Sequence, residues 1–537
     1  MYQVTLTEAR FPAQDDLPLV EKTVADVLHE AAVAAPDAPA LTEIGMDGLP
    51  GRRWTYAELL SASESLARAL STRYAPGERI VVWAPNAPEW VLTEYACALA
   101  GLTLVTANPA YQAAELAYVL DQSKAAGLFI TREHRGNPMA EIAAAAAAEA
   151  PALREIVDLE DPAALHARGD RPEALATVAP GDEAQLQYTS GTTGFPKGAR
   201  LHHLGLVTNA AHYMARAGMR EGDVVGNYMP LFHTSGCGMS VLGCAQNRGH
   251  LVLFRMFEPD AVLDRLEDQR VNCMTGVPTM LIALLEAQAR RPRDTTSVRI
   301  CVSGGSMVAP ELVRRVSAAF GCPFQIVYGQ TETSPVITQH HSTDDIDTVA
   351  NTIGQPLPRQ EVSIRRVEDD STADIDEIGE ICVRGYCRML GYNDDPEATA
   401  KTIDAEGWLH TGDLGTMDAR GYLSVTGRVK EMIIRGGENL FPAEIENCLL
   451  EHPAVGEVAV VGLPDETWGE IVAAVIRPAP GAAPDPAELR AHCRARMAPM
   501  KTPTVWLRAE GFPLTGSGKV RKFALRDAWA AGQLHEL

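Results

Sequence analysis

The sequence lacks any CxxC pair, although ten cysteines are scattered through its 537 residues. Without paired spacing, neither a zinc ribbon nor a disulfide framework is indicated, and reduced thiols in a cytoplasmic setting are the simplest expectation. No apolar run reaches the roughly 18–20 residues that a bilayer-spanning helix needs. The opening stretch, MYQVTLTEARFPAQDD, has no basic segment followed by an apolar one, so no secretory leader is expected. Positive charge is scarce: 47 Lys and Arg stand against 70 Asp and Glu, a formal charge of −23. That balance argues against a nucleic-acid partner or a basic membrane-binding face, while leaving room for an anionic ligand held by a few local cations. Internal repeats are absent. The single low-complexity run, Ala140 to Leu153, reads as an alanine-rich helix stopped by Pro151.

What is present is a large globular chain. Its hydrophobic share of 46% suffices for an extensive core, and its length suggests two to four folded units. From Thr55 to Phe129, helical segments such as TYAELLSASESLARALS alternate with short apolar runs (RIVVWA, LTLVTAN, AGLFIT). This is the rhythm of a layered α/β domain. The rhythm resumes with HLVLF, NCMTGVP, VRICVSGG and FQIVYG, whose Val, Ile and Cys show no polar alternation and predict strands buried on both faces. Between Glu361 and Thr426, short alternating segments separated by Gly and Asp predict a small antiparallel region. Beyond Gly427 the pattern resets: FPAEIENCLLEH predicts a helix with Pro442 in its first turn, VGEVAVVGLPD and GEIVAAVIRP predict strands, and DPAELRAHCRARM predicts another helix. The fold class expected is α/β. A large N-terminal domain over residues 1–427 has layered mixed sheets flanked by helices and contains a small β subdomain over 361–426. A small mobile α+β domain follows over 428–537, joined at Gly427–Glu431.

One stretch, YTSGTTGFPKGA (Tyr188 to Ala199), can be neither a buried strand nor a stable helix. Glycine-rich loops cradle phosphates because bare backbone N–H groups approach the oxygens closely, and a lysine adds charge. The usual GxxxxGK[ST] loop feeding a helix is not matched: Lys197 follows Pro196, no Ser or Thr adjoins it, and GARLH beyond it looks extended. A polyphosphate loop between two strands is the reading of these residues.

Five further stretches accompany it in order: MPLFHTSG (Met229–Gly236), YGQTETSP (Tyr328–Pro335), GWLHTGD (Gly407–Asp413), GRVKEMIIRGGENLFPAEIE (Gly427–Glu446) and PLTGSGKVRK (Pro513–Lys522). Together with the first, they resemble the motifs of adenylate-forming enzymes, the superfamily of acyl-CoA synthetases, peptide-synthetase adenylation domains and luciferases. The match covers nearly the whole chain. Within it, NPAYQAAELAYVL, RGYCRMLGY and MIIRGGENLFPAEIE look most like medium-chain fatty acyl-CoA synthetases.

The resemblance implies ATP, Mg2+ and CoA as co-substrates, and a role for each matching residue. Thr189, Ser190, Gly191, Thr192, Thr193, Gly194 and Lys197 would wrap the β- and γ-phosphates. Glu332, with the Thr189 hydroxyl, would hold Mg2+, an ion that prefers hard oxygen ligands. Gly304, Gly305 and Ser306 would run along the adenine and Tyr328 would stack on it, with Gly329, Gln330 and Thr331 beside the nucleotide. Asp413, in a tight TGD turn, would accept from the ribose hydroxyls, and Arg428 would be a second ribose and phosphate contact. Lys519, in a glycine-flanked loop, would touch the substrate carboxylate and the α-phosphate. Lys430 matches the hinge about which the small domain rotates between half-reactions, bringing Gly436, Gly437 and Glu438 of RGGEN to the pantetheine arm of CoA. His233 would gate the acyl pocket or, second, act as a base on the thiol. Arg521 and Lys522 read as surface charge, and the pairs His202–His203 and His340–His341 as surface or capping residues.

The acyl pocket implied by the resemblance carries His233, Cys237, Met239, Val277, Val302 and Val336. These side chains suit an aliphatic or aromatic tail, and LFHTSGCGMS lacks the aspartate with which peptide-synthetase domains hold an α-amine. The expected activity is an AMP-forming acid:CoA ligase acting on a medium-chain fatty or aryl acid. Two alternatives stay open: a ligase passing the activated group to an amine or other non-CoA nucleophile, and a non-catalytic nucleotide binder. Partners are small molecules only; oligomeric state is left open, with a homodimer as one option.

Overall fold

The computed structural model describes residues 1–189, 196–436, 438–513 and 520–537, and at 439 the backbone alone. Helix starts follow local chemistry. Thr55 accepts from the Glu58 N–H while Glu58 bonds back to the Thr55 N–H, closing a capping box ahead of the helix Tyr56–Ser71. Thr23 and Asp26 do the same for Val24–Ala34. Pro88, Pro259, Pro278, Pro310, Pro442 and Pro486 each open a helix, where a missing N–H costs nothing.

Four sheets result. A seven-stranded sheet runs Gly391–Tyr392, Lys197–His202, Glu183–Thr189, Thr103–Thr106, Arg79–Trp83, Gly127–Ile130, Glu155–Asp158, and is parallel from Glu183–Thr189 onward. A nine-stranded sheet has a parallel centre formed by Phe324–Gly329, Ile300–Gly304, Cys273–Thr275, Val224–Asn227, His250–Phe254 and Pro39–Ile44. These strands are almost wholly buried, as their unbroken apolar runs predict. A five-stranded antiparallel sheet joins Gln360–Arg365, Gly379–Gly385, Leu409–Met417 and Leu423–Arg428 to the N-terminal pair Arg10–Phe11. That last strand has too few residues to be read from sequence.

One apolar cluster runs through all three sheets, from Leu41 and Leu251 through Trp90 and Leu206 to Leu201, Ile381 and Leu409. The fourth sheet is built only from residues after Met432 and has separate apolar clusters, the largest around Ile433, Ile445, Leu449, Val460 and Trp506. No described helix is long and apolar enough to cross a membrane. All ten cysteines are buried and free.

Candidate functional site

Two paired strands flank the glycine-rich stretch. Glu183–Thr189 and Lys197–His202 pair antiparallel, with Thr189 opposite Lys197, and the Thr189 hydroxyl lies 3.4 Å from the Lys197 carbonyl. This is the strand–loop–strand arrangement expected of GARLH. Ser190, Gly191, Thr192, Thr193 and Gly194 lie outside the described residues.

Glu332 comes to the same place from a different sheet. It sits in the 3-10 turn Thr331–Thr333, just past the strand Phe324–Gly329. Its Oε1 accepts from the Tyr392 hydroxyl at 2.8 Å and lies 3.5 Å from Thr189 Oγ1. Tyr392 reaches it because Gly391–Tyr392 pairs with Arg200 and Ala199, one strand over from the loop. Burial, and then the Glu332 carboxylate, push the Tyr392 hydroxyl far up, so it stays a donor. Lys197 Nζ stands 5.1 Å from the Tyr392 ring centre, within cation–π range. Tyr392 was not singled out in the sequence; its nearest signal is the RGYCRMLGY stretch that ends on it.

A second carboxylate is held on the five-stranded sheet. Asp413 and Arg428 are directly cross-strand, with Arg428 Nε 2.8 Å from Oδ1. The Tyr328 hydroxyl donates to Oδ2 at 2.9 Å. Asp413 therefore lies inside the strand Leu409–Met417 rather than in a tight turn; the turn-like feature is Gly412, at φ +73°, beside a register shift after Leu414. Tyr328 is the penultimate residue of the strand Phe324–Gly329 that leads to Glu332, so one segment supports both carboxylates.

The glycines of this region are fixed by close approach. A Cβ on Gly329 would stand 1.9 Å from the Pro335 carbonyl oxygen, and one on Gly304 would stand 2.4 Å from that of Val327. Gly305 and Ser306 are exposed beyond the strand end. Gln330 donates its N–H to Pro335 O, closing the loop in which Thr331 and Glu332 sit.

His233 is half-buried, its ring 4.2 Å from that of Phe232. Its carbonyl accepts from the Gly236 and Cys237 N–H groups at the entry to a π-helix, Ser235–Leu242. Glycines at 236 and 238 hid this helix from a periodicity reading. Cys237, Met239, Val302 and Val336 are buried, and Val277 lies 3.8 Å from where a Gly305 Cβ would be. Cys237 turns its sulfur toward Gln185 and Gln187, at 3.5 and 3.4 Å. Gln185 in turn donates to Glu94, whose carboxyl is pushed well up by complete burial. That buried polar chain was not anticipated.

Two readings need correction. Lys522 is not surface charge: its side chain is 15% exposed and pairs with Glu431 at 2.9 Å and Glu446 at 2.8 Å. His202, His203 and His340 are buried rather than superficial, although His202 does cap the helix His203–Arg216. Lys430 is exposed in the 3-10 turn Val429–Glu431. Gly436 turns a hairpin at φ +61° between Ile433–Arg435 and Glu438–Leu440. Gly437 and Lys519 lie outside the described residues.

Comparison with known proteins agrees with this geometry. Residues 28–393 match the AMP-binding enzyme family model and residues 444–519 its C-terminal domain. The chain is 36% identical to the provisionally named acyl-CoA synthetase YngI of Bacillus subtilis, covering 95% of this chain and 97% of that one. It is 33% identical to the mitochondrial medium-chain acyl-CoA ligase of Homo sapiens, over 95% and 88%. A solved o-succinylbenzoate-CoA synthetase of Bacillus subtilis, bound to its acyl-adenylate, superposes with a TM-score of 0.82 at 29% identity over 95% and 99%. The chain therefore belongs to the AMP-binding enzyme family and is an ATP-dependent, AMP-forming acyl-CoA ligase that uses Mg2+ and CoA.

Proposed function

We propose that the acid activated is a medium-chain fatty or aryl carboxylic acid, in a cytoplasmic setting. The carrying observation is that one segment, Tyr328–Glu332, is met by Thr189 and Tyr392, with Lys197 over the Tyr392 ring, at Glu332 and by Asp413, itself paired with Arg428, at Tyr328. The apolar Met239, Val277, Val302 and Val336 favour an uncharged tail, as does the relative named for medium-chain acids. Ten free cysteines favour a reducing compartment.

In this reading residues 1–427 bind acid and ATP, and residues 428–537 form the mobile domain. The carboxylate oxygen attacks the α-phosphorus, the bond to the β-phosphate bridging oxygen breaks, and pyrophosphate leaves. Negative charge gathers on the phosphoryl oxygens, so fixed donors placed beforehand lower the barrier. Lys197 and the Thr189–Gly194 backbone hold the β- and γ-phosphates, and Lys519 neutralises the approach of carboxylate to phosphorus. The hard oxygens of Thr189 and Glu332, 3.5 Å apart, fit Mg2+, which supplies charge neutralisation at the phosphates. Asp413 accepts from the ribose hydroxyls. Gly304, Gly305, Ser306 and Gly329–Thr331 border the base, on which Tyr328 stacks, and Arg428 adds a sugar–phosphate contact. Rotation about Lys430 then withdraws Lys519 and presents Gly436, Gly437 and Glu438 to CoA. The CoA thiolate attacks the acyl carbon, His233 clears the pocket, and AMP leaves.

The test is AMP and thioester formation with Mg-ATP over a panel of fatty, aryl and amino acids, each with and without CoA. Thioester appearing best with a medium-chain fatty or aryl acid is expected; preference for an amino acid, or AMP release that ignores CoA, would overturn this reading.

A further inference from the structure

Two groups of candidate metal ligands share His410: Glu380, Cys382 and His410, and Asp370, Asp404 and His410. The second is already occupied by a cation. Arg365 stands 2.7 Å from Asp370 Oδ2 and 3.5 Å from Asp404 Oδ2, and its guanidinium is stacked 4.7 Å from the Trp408 ring. Among the described residues, no Lys or Arg is ion-paired within the first. Its donors converge on one ring nitrogen: His410 Nδ1 is 2.9 Å from Glu380 Oε2 and 3.4 Å from Cys382 Sγ.

The fold fixes these three in place. Glu380 and Cys382 are two apart on the strand Gly379–Gly385, hence on one face, and His410 is the direct cross-strand neighbour of Cys382. Cys382 is fully buried, while His410 and Glu380 side chains are 20% and 18% exposed, so solvent reaches the cluster from the histidine side. The far ring nitrogen, Nε2, faces the Asp404 carboxylate at 3.6 Å. A carboxylate behind the non-ligating nitrogen is the support that metal-bound histidines usually have.

We propose that Glu380, Cys382 and His410 form a site for a thiophilic divalent cation such as Zn2+, separate from the Mg2+ used in the reaction. Thiolate, imidazole and carboxylate select a borderline-soft ion over Mg2+, which prefers oxygen alone. Binding displaces the Cys382 thiol proton and the Nδ1 proton that His410 shares with Glu380, and both are released to solvent. Occupancy also reaches the nucleotide site. Glu380 Oε1 accepts the Gly412 N–H at 2.8 Å, one residue from Asp413, so an ion drawing on Glu380 shifts the strand segment that carries Asp413.

The full chain, stripped with chelator and free of nucleotide, is titrated with Co2+ while the near-ultraviolet thiolate charge-transfer band is followed. Zn2+ displacement and AMP affinity serve as second readouts. One equivalent of Co2+ should produce the band, Zn2+ should abolish it, Mg2+ should not, and AMP affinity should change on saturation. Cys382→Ser should remove the band, and His410→Gln should weaken the metal about tenfold or more. The double variant C448S/C493S, which removes another pair of buried thiols, should keep the band. Absence of a thiolate band at saturating Co2+, or a band that persists in both Cys382→Ser and His410→Gln, overturns the proposal. Should Cys382→Ser misfold by circular dichroism, His410→Gln alone decides.

Discussion

Glu332 and Asp413 are both buried carboxylates bonded to a tyrosine hydroxyl, yet their charges are met in opposite ways. Asp413 has a fixed guanidinium, Arg428, 2.8 Å away. The pair is close to neutral, and its remaining lone pairs suit neutral hydroxyl donors such as those of a ribose. Glu332 is bonded to the Tyr392 hydroxyl and lies beside that of Thr189, and among the described residues no Lys or Arg forms an ion pair with it. A carboxylate without a guanidinium partner leaves its oxygens available to a divalent ion arriving with the nucleotide. The difference fits the proposal that Glu332 serves the polyphosphate end and Asp413 the sugar end.

Substitutions that erase the difference should have graded effects. The largest is expected for Glu332→Gln, which keeps the shape and removes the charge. Turnover should fall about 10²–10³-fold, with the Mg2+ requirement raised, as when a fixed transition-state stabiliser is lost. Asp413→Asn leaves Arg428 without its partner and weakens the ribose acceptor. Nucleotide affinity should fall about 10–100-fold, the range for hydrogen bonds to a charged group, read by AMP titration. Arg428→Met gives Asp413 an uncompensated charge like that of Glu332. AMP affinity should drop about tenfold, read by the same titration. The smallest effect belongs to Tyr392→Phe. It deletes one hydroxyl and leaves the ring under Lys197, so a loss of about 1 kcal/mol is expected, seen as a severalfold higher Mg2+ requirement with unchanged AMP binding.

The residues of the proposed site were picked out in the sequence mainly because their motifs resemble, in order, those of adenylate-forming enzymes. Lys197 was singled out from the loop itself, and Glu332, Asp413 and Arg428 through the resemblance of their motifs to adenylate-forming enzymes; the strands flanking the glycine-rich stretch were read directly. The alternating helices and apolar strands were legible because parallel strands buried on both faces leave unbroken Val, Ile and Cys runs. What was not legible depends on pairing between distant segments. Tyr392 reaches Glu332 only because a two-residue strand adds to the edge of the seven-stranded sheet. Lys522 is buried only because Glu431 and Glu446 converge on it from a turn and a helix. The helix Ser235–Leu242 escaped because its glycines and π geometry break the 3.6-residue period. The buried histidines escaped because their partners lie elsewhere in the chain: His340 Nε2 meets Thr352, His202 Nε2 meets the Arg388 carbonyl, and His203 Nδ1 accepts the Val24 N–H.

The assignment of the two carboxylates is tested most directly by calorimetric titration of AMP, and of ATP with and without Mg2+, into Glu332→Gln and Asp413→Asn. The account predicts that Glu332→Gln binds AMP like the unmodified protein and loses only the Mg2+-dependent part of its ATP affinity, whereas Asp413→Asn loses AMP and ATP affinity alike, whatever the Mg2+ concentration. Equal loss of AMP binding in both variants, or an ATP affinity in Glu332→Gln that still rises with Mg2+ as before, would contradict it.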